Sequence, residues 1–80
     1  MHIAVDMSLY PLADGYIPPI KDFIERIKSR AGLKVVTNAM STQVSGEMHE
    51  VMRALEEEMA VTFGANRRAV FVMKVLGGGG

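Results

Sequence analysis

From His2 to Tyr10 apolar and polar positions alternate, with Ile3, Val5, Met7 and Leu9 on one face and Ala4, Asp6, Ser8 and Tyr10 on the other. A period of two predicts a half-buried strand. Pro11, which has no N–H for a ladder, stops it, and Asp14-Gly15 adds a turn signal. The period then lengthens. Ile20, Phe23, Ile24 and Ile27 recur at i, i+3, i+4 and i+7, Ala31 follows at i+11, and Lys21, Asp22, Glu25, Arg26 and Lys28 take the outer face. This predicts a helix over 18–30, opened by Pro18-Pro19 and closed by Gly32. Leu33 to Thr37 reads as a second strand and Ser41 to Ser45 as a third, joined by the hairpin connection Asn38-Ala39-Met40.

A second helix follows, with Ser45 or Gly46 as its cap and Glu47 and Glu50 in its positive first turn. Met48, Val51, Met52, Leu55 and Met59 sit at helical spacing, Phe63 extends the stripe, and Gly64 ends it. On this spacing Met48, Met52 and Met59 are core filling, and Glu56-Glu57-Glu58 is a solvated face. Ala69 to Leu76 is a last strand, apolar on both faces apart from Lys74, and so calls for cover from another subunit.

The order β-α-β-β-α-β predicts an α+β, ferredoxin-like sandwich. Right-handed crossovers place both helices on one face of a four-stranded antiparallel sheet in spatial order 4-1-3-2. Residues 1–76 form the single domain, and the glycines of 77–80 form a flexible tail. In a chain of 80 residues that is 49% hydrophobic, folding alone buries only about 60–65% of the surface. The excess predicts a homo-oligomer.

Charge narrows the function classes. Nine basic and nine acidic side chains balance to zero, and no Lys/Arg run exceeds two, so phosphate neutralisation has little to work with and nucleic acid is excluded as a partner. No apolar run approaches the roughly 18–20 residues of a membrane span. With no secretory signal at the start, the expected location is cytoplasmic. Catalysis also lacks material. There is no Cys, no G-x-S-x-G and no Gly-rich phosphate loop. His2 and His49 have no nucleophile pattern nearby, and H-E-x-x-H fails because Arg53 takes the last place. An RNA-recognition module needs aromatic and basic residues on the central strands, where this chain has Asp6, Ser8, Gln43 and Ser45. An acylphosphatase needs an arginine in the first loop, and 11–19 has none. The expectation is a protein that is not an enzyme and uses no cofactor or metal.

Topology singles out one end of the sheet. The exit of strand 1 (Ser8, Tyr10) meets the start of strand 3 (Ser41, Thr42) and the hairpin residues Asn38 and Met40. The N-terminus of the first helix, with its unpaired N–H groups and positive dipole end, and Arg67-Arg68 approach the same end. Hydroxyls, an amide, a phenol and a thioether together suit a small, partly aromatic, polar ligand. Each residue also has a plainer reading: Ser8 and Thr42 as strand ends, Asn38 as a turn former, and Tyr10 as packing.

Three collinear segments carry a family resemblance: S-L-Y-P-L (Ser8–Leu12), N-A-M-S-T-Q-V-S-G-E (Asn38–Glu47) and E-V-M-R-A-L (Glu50–Leu55). Over roughly Ile3 to Leu76 the chain resembles the small thiamine-binding, YkoF-like proteins. It departs from many members at Ser41, where they have glycine. The resemblance implies a non-enzymatic, oligomeric protein, a dimer of dimers joined through its sheets. Its ligand would be thiamine or the hydroxymethylpyrimidine moiety, in vitamin salvage or transport. It maps Ser8, Tyr10, Asn38, Met40 and Thr42 onto the ligand-binding positions. Asn38 could offer both a donor and an acceptor, Ser8 and Thr42 either, and Tyr10 or Met40 could cover a ring face. The alternative is an oligomeric interaction or regulatory module with no vitamin ligand.

Overall fold

A computed structural model describes residues 1–12, 17–65 and 68–78, apart from the side chain of Ile17. The elements run β1 (His2–Pro11), α1 (Ile17–Lys28), β2 (Lys34–Thr37), β3 (Thr42–Glu47), α2 (Met48–Ala65) and β4 (Ala69–Gly77). The sheet order is β2-β3-β1-β4, with every pairing antiparallel. This is the ferredoxin-like α+β arrangement predicted from the pattern. Asp14-Gly15 and Arg67 lie outside the described residues.

Alternation in β1 works as predicted. Ile3, Val5 and Met7 are buried because their face looks onto the helices, and Leu9 packs against the same core. From α1 come Phe23 and Ile27, from β3 Val44, and from α2 Val51, Ala54 and Leu55. Among the described residues no layer covers the opposite sheet face: Tyr10, Val36, Val70, Val72 and Leu76 all stand exposed.

Several expectations need correction. Helix α1 ends at Lys28 rather than Arg30, since the Arg30 N–H turns back to Ile27 O at 3.3 Å. Ala31 is exposed, and Gly32 completes the exit with φ +84°, a left-handed backbone that glycine adopts without a Cβ clash. Neither Ser45 nor Gly46 caps α2, because β3 runs on through both to Glu47. The cap is Glu47, whose Oε1 accepts the N–H groups of His49 (3.0 Å) and Glu50 (3.3 Å). Gly46 answers to packing: a Cβ there would lie 3.2 Å from Gly32 O and from Leu33 Cδ2.

The methionine stripe is displaced. Met48 and Met52 are exposed, Met59 is half-buried, and the buried face of α2 is Val51, Ala54, Leu55, Glu58 and Thr62. Glu58 therefore leaves the solvated face it was expected to share with Glu56 and Glu57. It is 8% exposed, and its carboxylate is clamped by Arg26 Nε (2.7 Å) and by Arg30 Nε and Nη2 (3.0 and 2.8 Å). Arg26 also donates to Thr62 Oγ1 at 2.7 Å. The first of the closing glycines are not free: Gly77 pairs with Ile3, and the Gly78 N–H donates to His2 O at 2.9 Å.

Candidate functional site

The site follows from where two pairings stop. Strand β1 pairs with β3 only as far as Met7–Thr42, whereas it stays paired with β4 out to Pro11–Ala69. Beyond Met7 the β2–β3 hairpin has already turned, so Ser8 to Pro11 and Asn38 to Ser41 flank a gap. The N-terminal half of α1 passes beneath it. The result is a cleft of about 360 Å³, within the size range of small-molecule sites.

Its walls and its rim differ in chemistry. Met7, Leu9, Ile20, Phe23, Ile24 and Phe71 make the apolar body. Phe23 and Phe71 meet with ring centroids 5.0 Å apart, and Phe63 closes edge-on against Phe71 at 5.5 Å. Such tilted contacts stiffen an apolar floor. Around the mouth stand Ser8, Tyr10, Thr37, Asn38, Met40, Ser41 and Thr42. Among the described residues the lining contains no Asp, Glu, Lys, Arg or His.

All five predicted residues line this one cleft. Ser8 Oγ donates to Met40 O at 3.3 Å, which ties the exit of β1 to the hairpin. Thr42 is buried at the start of β3, its Oγ1 3.4 Å from that of Thr37. Tyr10 is 54% and Met40 85% exposed, so both stand at the mouth rather than in the body.

Asn38 is more constrained than its side-chain inventory suggests. Its Oδ1 accepts the N–H groups of Met40 (2.7 Å) and Ser41 (3.0 Å), while its own N–H donates to Ser41 O (3.1 Å). The carbonyl is therefore spent on the turn, as the plainer reading of Asn38 requires. Its NH2 has no protein acceptor among the described residues, so Asn38 offers donors only, not both kinds of group.

Sequence reasoning missed part of the rim. Ser41 Oγ donates to Asp6 Oδ1 at 2.6 Å, anchoring the hairpin from the uncovered sheet face, and Lys74 Nζ stands 4.0 Å from the other oxygen. Asp6 lies on the polar side of the β1 alternation and is separated from Ser41 by 35 residues, so only the register joins them. The charges expected nearby contribute less. Pro18 and Pro19 remove two of the N–H groups at the start of α1. Arg68 meets this end through its backbone, accepting the Leu12 N–H at 2.9 Å, and does not line the cleft.

Comparison with known proteins resolves the family. A family model described as thiamine-binding protein matches residues 5–76. The chain belongs to the thiamine-binding protein family. A hypothetical protein of Methanocaldococcus jannascii is 30% identical, with 92% of this chain and 77% of the other covered and a TM-score of 0.79. A protein of Thermotoga maritima, described provisionally as a thiamine biosynthesis/salvage protein, has a TM-score of 0.85 at 23% identity, covering 95% and 83%. A Streptococcus pneumoniae protein has a TM-score of 0.80 at 21% identity, covering 98% and 88%. The last two show the shared fold. No curated protein gives a significant match.

Within this member of the thiamine-binding family, a second and smaller cavity of about 120 Å³ lies by Pro18, Pro19, Asp22, Arg26, Thr62 and Ala65. Its strongest donor is already engaged, since Arg26 is committed to Glu58 and Thr62. Burial pushes the Glu58 carboxyl up, but hydrogen bonds from Arg26 and Arg30 outweigh it and hold the group below its ordinary value. That network fastens α1 to α2 and leaves the cleft as the candidate site. Among the described residues no three His, Cys, Asp or Glu side chains converge as metal ligands, and no helix is long and apolar enough to cross a membrane.

Proposed function

We propose that this protein is a non-enzymatic, cytoplasmic binder of thiamine or its hydroxymethylpyrimidine moiety, serving salvage or transport, with the ligand in the cleft between α1 and the β2–β3 hairpin. The observation that carries the reading is the match of chemistry between the cleft and a neutral aminopyrimidine. The ring is flat and apolar on its faces, as the Phe23–Phe71 floor requires. Its edge holds both acceptors and a donor. The Asn38 NH2 can donate to a ring nitrogen, and the Ser8 and Thr42 hydroxyls can accept from the exocyclic amine. Membership of the thiamine-binding family supports the same ligand.

Among the described residues Tyr10 is the one ionisable group in the lining, and this selects between forms of the ligand. A pyrimidine that enters the body must be uncharged there, since burying an unpaired ion is costly. The thiazolium of thiamine would then stay at the mouth beside Tyr10 and Met40, on the side where Asp6 holds Ser41. A phosphate ester finds no cation among the described lining residues and is expected to bind more weakly. The exposed Val70, Val72 and Leu76 of β4, with Val36 of β2, support assembly of a homo-oligomer through the uncovered sheet face.

Calorimetric titration with thiamine, hydroxymethylpyrimidine and its phosphate tests this. The expected result is saturable heat from the first two, with the phosphate weaker by at least about tenfold, or roughly 1.4 kcal/mol. A folded protein that gives no heat with any of them would leave the interaction-module alternative in its place.

A further inference from the structure

The cleft has a further recognition element that no side chain supplies. In a strand, the N–H and C=O of one residue point to the same side, and successive residues alternate sides. Three backbone hydrogen bonds fix the phase for β1. Met1 O accepts the Met48 N–H (2.8 Å), on the β3–α2 side, whereas His2 O accepts the Gly78 N–H (2.9 Å) and the Leu12 N–H donates to Arg68 O (2.9 Å), both on the β4 side. Odd-numbered residues of β1 therefore address β3. Ile3, Val5 and Met7 meet partners there in Gly46, Val44 and Thr42. Leu9 is the next odd residue, and the β1–β3 pairing has ended.

The residue that would continue the ladder is Met40, but its N–H is given to Asn38 Oδ1 and its carbonyl takes the Ser8 hydroxyl. No described backbone bond joins Leu9 to the hairpin. Leu9 is half-buried and lines the cleft, so its N–H and C=O form an open strand edge facing the cleft. A backbone N–H and C=O with no protein partner at the wall of a cleft are free to take a ligand.

We infer that the Leu9 N–H and C=O are the specificity-determining pair of this site and take the edge of a 4-aminopyrimidine in place of the missing β3 residue. The Leu9 N–H donates to the ring nitrogen next to the amine, and the exocyclic amine donates to Leu9 O. A heteroaromatic edge with an acceptor beside a donor is complementary to the N–H and C=O of one strand residue. This deepens the proposed function and rests on it. It also assigns the amine to the backbone and leaves the Asn38 NH2 for another acceptor of the ligand. The turn-forming role of Asn38 exposes this edge, because it draws the Met40 N–H away from β1.

Amide hydrogen exchange by NMR on the intact protein, free and with hydroxymethylpyrimidine, tests the pair. In the free protein the Leu9 amide should exchange far faster than those of Val5 and Met7. If Leu9 is as protected as Met7, its edge is already paired and the inference fails. Saturating ligand should slow Leu9 exchange by more than about tenfold, as expected when a backbone amide gains a partner. Calorimetric binding with no change at Leu9 would overturn the inference and leave the proposed function standing. No binding at all would overturn both. The 4-oxo analogue, which reverses donor and acceptor on that edge, should bind more than about tenfold more weakly. Equal affinity for the two would also overturn it.

Discussion

Two polar clusters hold this small domain together, and they differ in what they leave unsatisfied. Between the helices, Glu58 is gripped by two arginines and Arg26 reaches on to Thr62, so charge is matched by charge and the donors that touch Glu58 are committed. At the sheet end, Ser8, Asn38, Ser41 and Thr42 are neutral, tied by a few hydrogen bonds, and surround space. The first cluster has the character of a strut and the second that of a site. A charged network that answers itself has nothing to offer a ligand, whereas a neutral rim with spare donors over an aromatic floor does.

The sharpest separation should come from Glu58→Ala. It strands the half-buried Arg26 guanidinium and leaves Arg30 with Glu57 as its only carboxylate, and stability should fall by about 2–4 kcal/mol, somewhat under the cost of breaking a fully buried pair because both arginines reach water. Urea denaturation reads the loss, and ligand affinity of the folded fraction should stay unchanged. An equal loss of affinity would mean that the strut also shapes the site. Asn38→Ala should do the opposite. Two turn N–H groups lose their acceptor and the cleft loses a donor, so stability falls by about 1 kcal/mol while affinity falls by at least about tenfold.

Acid probes the strut alone. The Glu58 carboxyl is held below its ordinary value in the folded state, so its stabilisation is fully present above the unfolded-state value of about 4.3. It disappears as the pH falls through the lower folded-state value. In Glu58→Gln that portion of the acid destabilisation should vanish from denaturation curves taken between neutral pH and pH 3. Removal of the α2 cap by Glu47→Ala should cost about 1 kcal/mol with no effect on binding. Lys74→Ala, on an exposed pair 4.0 Å from Asp6, should change stability by less than about 0.5 kcal/mol.

The same contrast explains what the amino-acid pattern could and could not convey. Alternation in β1 and the helical spacing of Ile20, Phe23, Ile24 and Ile27 report burial directly, and element order then dictates the sheet order. The convergence of Ser8, Asn38 and Thr42 follows from that topology. The strut was hidden because its partners are matched across space. Arg26 and Glu58 look like solvent residues on their own helices, yet across the helix interface they meet, Glu58 buried and Arg26 half-buried. That pairing rotates the inner face of α2 toward Glu58 and Thr62 and leaves Met48 and Met52 outside. The cap at Glu47 was missed because Ser45 and Gly46 looked suitable locally, and the length of β3 is set by its pairing with β1. The open edge at Leu9 lay beyond composition altogether, since it depends on where a ladder stops.

A crystal structure of the protein grown with hydroxymethylpyrimidine tests the central claim most directly. The account predicts the ring within the cleft, edge-on to Leu9 with its face over Phe23 and Phe71, and the Asn38 amide within hydrogen-bonding distance. A ring bound on the uncovered sheet face, or in the smaller cavity beside Arg26, would contradict it.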